Sequence, residues 1–382
     1  MEHAFIARAV AEHAYAAGAR RVVVRYVDNV VQRAAIVHAP LEALSSHYDY
    51  EALHIEELRR RHAALIFLSG EADPHTFDGL DPERLVARSQ TLARAALEAV
   101  DSGDNQWTVV PAPNEGWATQ VFGEPDVDRL WEALAIALRL DEAEPVAAWH
   151  AHLARLSERR DALQALNLDA LHFRGPGTDL RIGLIAGSLW IAGGSESSQG
   201  VQYVPNLPTE EVFTSPDLRR TQGTVRVAVP LATRHGLVIG LRLRFEAGRI
   251  VEVAAEKGQE IVEAELRSHP QAPYLGEVAI VDGDSAVARA GVTFHDTLFD
   301  ENAGSHIAWG HAYPETLPGS EALDADARLA RGLNDATVHT DVVIGSPELD
   351  VDGVSADGSA VPILRQNRWM LPASVGAPRP PA

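Results

Sequence analysis

The pattern of hydrophobic residues changes character between the two halves of this 382-residue chain. Up to about residue 125, helical segments alternate with short apolar runs at residues 22–24, 64–68 and 107–110. Strands separated by helices are typical of parallel sheets, which predicts a doubly wound α/β fold for this part. From Leu171 onward, apolar and polar residues alternate with period two between glycine-containing turns, which predicts a largely antiparallel sheet.

These two patterns predict two domains of different fold class, α/β and α+β. We place the N-terminal α/β domain at residues 1–168, with bridging helices over residues 126–168, and a mixed, largely antiparallel C-terminal domain at residues 169–371. Two domains are also the expected number for this length, at roughly 100–200 residues per domain. Residues 372–382 contain four prolines, and we predict that they form a disordered tail.

Composition excludes several classes of function. The chain has 33 basic and 54 acidic residues, and its net charge of −21 argues against a nucleic-acid or anionic-membrane partner. It contains no cysteine, which rules out disulfides, a thiol nucleophile and thiolate metal ligands. The Gly-x-Gly-x-x-Gly motif is missing after the first predicted strand, so we expect no bound dinucleotide. No apolar run approaches the ~18 residues of a membrane span, and the N-terminal segment lacks the features of a secretory signal, which predicts a cytoplasmic protein.

Four stretches of the second half place acidic and histidine side chains inside apolar surroundings. Carboxylates are costly to bury alone, but a group of them with histidine is tolerated around a divalent cation. Each stretch alone is weak evidence, because adjacent glutamates or one His-x-Asp pair are more often solvent-exposed. Their succession within one domain makes a metal site the better interpretation. The candidate side chains are Glu210, Glu211, Glu277, His306, Tyr313, His339 and Asp341.

Strand geometry indicates how two of these stretches would bind a metal. His339 and Asp341 are two residues apart in a predicted strand, so their side chains point to the same face and form a rigid clip. Glu277 begins another apolar strand and faces the same way as Ala279, whose small side chain leaves room for an ion.

A helix is predicted in the third stretch. Asn302 or Ser305 can cap its N-terminus, and His306, Gly310 and Tyr313 then fall on one stripe, at spacings of four and three residues. The glycine in that stripe would let another backbone or a ligand approach closely. The stripe is also compatible with plain core packing, so it does not by itself assign a ligand.

The four stretches resemble the thermophilic metallo-aminopeptidase family (the aminopeptidase T, aminopeptidase S and PepS type). Agreement is close at residues 206–214, at residues 297–303 with the following His306 and Tyr313, and at residues 339–346, and weaker agreement covers essentially the whole chain. The resemblance implies two metal ions in the C-terminal domain and a homodimer whose N-terminal domains help to enclose the active sites. The family's ligand pattern falls on Glu211, Glu277, His306, His339 and Asp341, and its catalytic tyrosine on Tyr313.

Metal-dependent removal of N-terminal residues from a peptide substrate is the activity that this resemblance implies. Three carboxylates and two histidines exceed the needs of one tetrahedral metal, so we expect two divalent ions to share a water that attacks the first peptide carbonyl. Such a ligand mixture accepts zinc, cobalt or manganese. Tyr313 would donate a hydrogen bond to the oxyanion. Glu210, next to a ligand, is our candidate for the general base or for binding the free α-amino group.

Two other functions remain open. His306, His339 and Asp341 alone form the two-histidine-one-carboxylate set of a mononuclear non-haem iron oxygenase, which would act on an aromatic substrate. The presence of Glu211 and Glu277 argues against it, because that chemistry needs open coordination positions. The other possibility is a protein that keeps the fold for binding without catalysis, and the intact ligand set argues against it.

Overall fold

Helices dominate the first 165 residues of the computed structural model, and strands dominate the rest. The structure describes residues 2–46, 49–70, 72–73, 75–90, 93–233, 236–320 and 322–372, so all of the predicted disordered tail except Pro372 lies outside it. Within those ranges, no helix is both long and apolar enough to cross a membrane.

The helices are α1 (Ala4–Ala16), α2 (Asn29–His38), α3 (Leu41–Leu44), α4 (Asp49–Arg60), α5 (Pro82–Gln90), α6 (Ala93–Asp101), α7 (Glu115–Phe122), α8 (Val127–Ala137), α9 (Pro145–Ala165), α10 (Gln259–Arg267), α11 (Ala286–Arg289), α12 (Thr297–Glu301) and α13 (Ala325–Ala330). The strands are β1 (Leu65–Ser69), β2 (Trp107–Pro111), β3 (Ala170–Gly175), β4 (Thr178–Leu184), β5 (Ile191–Ala192), β6 (Ser195–Glu196), β7 (Gln202–Tyr203), β8 (Glu211–Thr214), β9 (Pro216–Arg226), β10 (Leu231–Thr233), β11 (Gly236–Val238), β12 (Arg242–Glu246), β13 (Arg249–Ala254), β14 (Leu275–Val281), β15 (His306–Gly310), β16 (His339–Val343), β17 (Asp350–Val354), β18 (Ala360–Arg365) and β19 (Arg368–Trp369).

One pair of parallel strands lies among the N-terminal helices. β1 and β2 pair from Leu65 with Trp107 to Ser69 with Pro111, which confirms the two strands predicted there. The strand predicted at residues 22–24 is wrong, because residues 21–28 have no regular structure and Val23 is 64% exposed. β-Branched residues favour a strand chiefly by packing against neighbouring strands, and none of the described strands pairs with this segment. In the described part of the chain, the doubly wound sheet is thus reduced to one parallel pair.

Two large antiparallel sheets follow from Ala170 onward, together with the two-stranded antiparallel pairs β6-β7 and β10-β11. The larger has the order β13-β12-β9-β4-β3-β17-β18-β19, and the smaller has the order β16-β15-β14-β8-β5. Side chains of both sheets share one hydrophobic core, which includes Phe173 and Ile182 of the larger sheet and Ile280 and Ile307 of the smaller. Burying such a side chain contributes about 1.5–3 kcal/mol. The fold class is therefore a mixed α/β structure with antiparallel sheets, and the domain boundary at residue 168 stays a prediction.

The helix predicted at residues 305–313 is wrong, because His306–Gly310 forms β15. This strand lies between β14 and β16, and all of its residues are buried. A short strand that is buried on both faces has a continuous apolar sequence, which periodicity does not distinguish from a buried helix. Pairing with the two neighbouring strands makes this segment a strand rather than a helix.

A second core connects the N-terminal helices to the loops beside the smaller sheet. Trp117 of α7 packs against Phe294 and Phe299, with ring centroids 6.4 and 5.8 Å away. Its Nε1–H donates a hydrogen bond to the carbonyl oxygen of Phe294 at 2.6 Å. Leu130 and Leu134 of α8 belong to the same core. These contacts hold α7 and α8 against the region that carries α12.

Candidate metal centre

Five of the candidate side chains lie on one face of the smaller sheet. Residues directly opposite each other in antiparallel strands point to the same side. Ala279 of β14 lies opposite His306, and Ala308 of β15 lies opposite Asp341, so small side chains separate the polar ones and leave space above the sheet. The five are Glu211 of β8, Glu277 of β14, His306 of β15, and His339 and Asp341 of β16.

Glu277 lies at the centre of this group. Its Oε1 is 3.5 Å from Nε2 of His306, and its Oε2 is 3.5 Å from Nε2 of His339. Nε2 of His306 is also 2.8 Å from Oε2 of Glu211, and Nε2 of His339 is 3.3 Å from Oδ2 of Asp341. The side chains thus form two sets of three ligand atoms, each set within 4.8 Å, and Glu277 belongs to both.

Backbone carbonyls orient both imidazole rings. Nδ1 of His339 lies 2.8 Å from the carbonyl oxygen of His311, and Nδ1 of His306 lies 3.2 Å from that of Gly304. Because a carbonyl oxygen only accepts, we assign the proton to each Nδ1. Each Nε2 then faces the carboxylates, and the outer hydrogen bond at Nδ1 is the usual support of a metal-binding histidine.

The electrostatics of the group favour a bound cation. Burial raises the pKa of Glu277 against the opposing effect of a hydrogen bond with His306, and the charges of Glu211 and Asp341 raise it further. For His306, burial lowers the pKa, but its interactions with Glu211 and Glu277 outweigh burial and the net pKa is well above its ordinary value. The carboxylates of this group outnumber its histidines, so negative charge is left unbalanced. A divalent cation would balance it.

One buried atom without a hydrogen bond shows how well the group suits a metal. Oε2 of Glu211 has no hydrogen-bond partner among the described residues, although Nε2 of His306 lies 2.8 Å away. The two atoms are as close together as two ligands of one ion are. Carboxylate oxygen and imidazole nitrogen are donors that zinc, cobalt and manganese accept. The residues present therefore fit a divalent-metal centre.

Glu301 is a candidate ligand that the sequence analysis missed. It is the last residue of α12 and only 8% exposed. Burial raises its pKa well above the ordinary value, and the charge of Asp341 raises it further. Its side chain also forms a hydrogen bond with Asp341. The available signal was the position of Glu301 inside the run 297–303, which contributed to the family resemblance.

Tyr313 lies beside the ligands, after β15 rather than on a helix with His306. It precedes a short 3-10 turn, Pro314–Thr316. Its ring packs against His339 and Phe213, with centroids 5.2 and 5.5 Å away. Burial, followed by the charge of Glu277, raises the pKa of the phenol well above its ordinary value. The hydroxyl group therefore stays protonated at neutral pH and can donate a hydrogen bond.

The carboxylate of Glu210 belongs to neither ligand set. Its Oε1 lies 2.6 Å from Nη2 of Arg139 and accepts the backbone N–H of Ala286 at 3.1 Å. Adjacent residues of an extended chain point to opposite sides, which separates Glu210 from Glu211. This geometry supports neither a general base nor an anchor for an amino group.

Comparisons with known proteins show which family this chain belongs to. The family model for thermophilic metalloproteases (M29) matches residues 1–369. Aminopeptidase T of Thermus thermophilus is 44% identical over 371 residues, which cover 95% of this chain and 90% of that protein. Aminopeptidase PepS of Streptococcus thermophilus is 35% identical, with 97% and 92% covered. The solved structure of wild-type AmpT from Thermus thermophilus has a TM-score of 0.86 and 42% identity, and the match covers 97% of this chain and 92% of that one. The resemblance seen in the sequence is confirmed, and the chain belongs to the thermophilic metalloprotease family M29.

Proposed function

We propose that this metallo-aminopeptidase removes N-terminal residues from peptides by means of a water activated between two divalent cations. The observation that carries the proposal is the shared carboxylate, because Glu277 has one oxygen near each of two histidines and belongs to both ligand sets. Paired metal ions act in this way in several classes of hydrolase, including aminopeptidases. Two relatives that span nearly the whole chain carry the name aminopeptidase, which supports a peptide with a free N-terminus as substrate.

Each ligand set would hold one ion. Glu211, Glu277 and His306 form the first set. Glu277, His339 and Asp341 form the second, with Glu301 beside Asp341. Cations bound there would lower the pKa of a shared water and polarise the carbonyl group of the first peptide bond.

The phenol of Tyr313 is the proposed hydrogen-bond donor to the reacting carbonyl oxygen. Because the phenol is protonated, it can donate as negative charge develops on that oxygen. Packing of its ring against Phe213 and His339 restricts its rotation, so little reorganisation is needed during the reaction.

We further propose a cytoplasmic homodimer, which the family resemblance implies. An exopeptidase needs a groove that is closed at one end, and the N-terminal parts of two copies would supply the wall. Sedimentation velocity combined with an activity assay tests this arrangement. A monomer with full activity would contradict it.

Metal replacement with a panel of aminoacyl-anilides tests the proposed activity. Chelation should abolish hydrolysis, and addition of zinc, cobalt or manganese should restore it. The matched control is the same anilide with an acetylated amino group, because the modification removes the free N-terminus and nothing else.

Two outcomes would contradict the proposal. Equal hydrolysis of the free and the acetylated anilide would exclude an aminopeptidase. Dioxygen consumption with an aromatic substrate, without anilide hydrolysis, would instead support the mononuclear iron oxygenase.

A further inference from the structure

A second group of charged side chains is buried behind the start of β8, outside the two ligand sets. Arg139 lies just after α8, His152 lies in α9, and Glu210 immediately precedes Glu211. Arg139 and Glu210 pair at 2.6 Å, and their side chains are only 6% and 5% exposed. Charges at this depth are costly unless they are fully paired. Because this buried ion pair lies beside the metal centre, we expect it to have a function there.

The hydrogen bonds of this group follow from what each partner can donate. Arg139 only donates, so Nδ1 of His152, 3.0 Å from its Nη2, accepts. Nε2 of His152 then carries the proton and donates to the carbonyl oxygen of Thr209 at 2.8 Å. Burial, followed by the charge of Arg139, lowers the pKa of His152 to about 3, which keeps the imidazole neutral, as this pattern requires. Oε1 of Glu210 accepts from Arg139 and from the N–H of Ala286.

The backbone of Glu210 connects this group to two residues of the metal centre. Its N–H donates to Oδ1 of Asn302 at 2.6 Å, and Asn302 is fully buried. Asn302 directly follows Glu301 in the sequence, and Glu211 directly follows Glu210. A change in the position of Glu210 would therefore reach both neighbouring carboxylates through the main chain.

We propose that the buried Arg139–Glu210 ion pair positions the metal centre, because it fixes the backbone that presents Glu211 and, through Asn302, Glu301. Glu210 is a positioning residue in this scheme and transfers no proton. The inference rests on the metal centre of the proposed function and does not depend on the identity of the substrate.

Cobalt(II) titration of the full-length metal-free protein, followed by absorption, tests the inference without any substrate. Glu210→Gln and Arg139→Gln should each weaken cobalt affinity by about 10–100-fold, the range typical of lost outer contacts to metal ligands. The double variant should bind cobalt at least as tightly as the single variant with the lower affinity, because it leaves no unpaired charge. With saturating cobalt, turnover of an anilide by Glu210→Gln should return to within about threefold of the unaltered protein, since KM and kcat then depend on a filled site.

Arg160→Gln is the matched control, because it removes an arginine of α9 whose ion pair with Asp161 is exposed. It should bind cobalt like the unaltered protein. If Arg139→Gln does not fold, as judged by circular dichroism, Arg139→Lys retains the charge but loses the planar fork, and it should show a smaller loss of affinity.

Two results would overturn the inference. The first is cobalt affinity that is unchanged in the Arg139 variant. The second is a Glu210→Gln protein with normal cobalt affinity and a more than 100-fold loss of kcat at saturating cobalt, which would make Glu210 a proton acceptor. If the unaltered protein binds cobalt but hydrolyses no anilide, the proposed function fails while the affinity comparison still decides the positioning role.

Discussion

At the scale of single residues, the carboxylate of Glu277 is the proposed shared ligand of two ions. Its two oxygens face different histidines, His306 and His339. We expect Glu277→Gln to remove both ions, because an amide has no charge and only one oxygen. Glu211→Gln should remove one, leaving about one ion per chain. Metal content of the purified variants, measured by mass spectrometry, checks this, and equal loss in both variants would argue against a shared ligand.

Removal of the phenolic hydroxyl group should separate catalysis from metal binding. Tyr313→Phe retains the ring contacts with Phe213 and His339 but loses the hydrogen-bond donor. We expect kcat to fall by roughly 10²–10³-fold, the usual cost of one lost oxyanion donor, with unchanged metal content. Steady-state kinetics on metal-saturated protein provide the measurement. Retention of full turnover would remove Tyr313 from the mechanism.

The neutral imidazole of His152 should make stability depend on pH. Its pKa falls from 6.5 to about 3 on folding, so the folded state binds fewer protons between these values. The contribution of the neutral imidazole to the free energy of unfolding is complete above about pH 6.5. It is lost as the pH falls toward 3, by about 1.4 kcal/mol per pH unit. Urea unfolding of His152→Gln between pH 6 and 4 should give a slope against pH that is flatter by about this amount. Identical slopes would contradict a buried neutral histidine.

At the scale of elements, β15 shows where local pattern and tertiary pairing disagree. The spacing of His306, Gly310 and Tyr313 matches a helix, yet residues 306–310 form a strand between two neighbours. Gly310 has a φ of 98° and ends the strand opposite His339. The backbone there depends on glycine for both its conformation and its close packing.

Gly310→Ala should displace β16 and weaken metal binding. A Cβ atom at Gly310 would lie 2.0 Å from the carbonyl oxygen of Val338, next to His339. Gly291→Ala is the matched control, because Gly291 also has positive φ, 70°, but nothing lies within 4 Å of its Cβ position. We expect the control to lose about 1–2 kcal/mol of unfolding free energy from backbone strain alone, and Gly310→Ala to lose more. Equal losses of unfolding free energy in the two variants, measured by urea unfolding, would show that the end of β15 tolerates the contact with Val338.

At the scale of the whole molecule, metal binding and stability should be linked. The candidate ligands come from four strands of the smaller sheet, so an ion that binds only the folded state would stabilise the assembly of these strands. Metal at 1,000 times its Kd contributes about 4 kcal/mol, which corresponds to roughly 10 °C in Tm for domains of this size. Calorimetry with metal and with chelator measures the difference. Glu277→Gln is the control, and a chelator effect of the same size in that variant would contradict the link.

Local geometry explains the parts of the fold and site that were predictable from sequence. The antiparallel strands after Leu171 and the parallel strands β1 and β2 were predictable from residue periodicity, which neighbouring residues alone determine. The separation of His339 and Asp341 by two positions requires that they share a face once they lie in a strand. The strand expected at residues 22–24 failed because a strand also needs a partner, and periodicity contains no information about one.

The amino-acid sequence by itself determined which ligand chemistry is available, the family, and the pairing of His339 with Asp341 on one strand face. Only the tertiary structure decided that Glu277 lies between two histidines, that Glu301 joins the carboxylates, and that Glu210 turns toward Arg139. The physical reason is the distance along the chain between the residues that interact. Side-chain direction within a strand depends on adjacent residues, whereas these contacts join residues far apart in the chain and depend on strand order, register and the burial of charge.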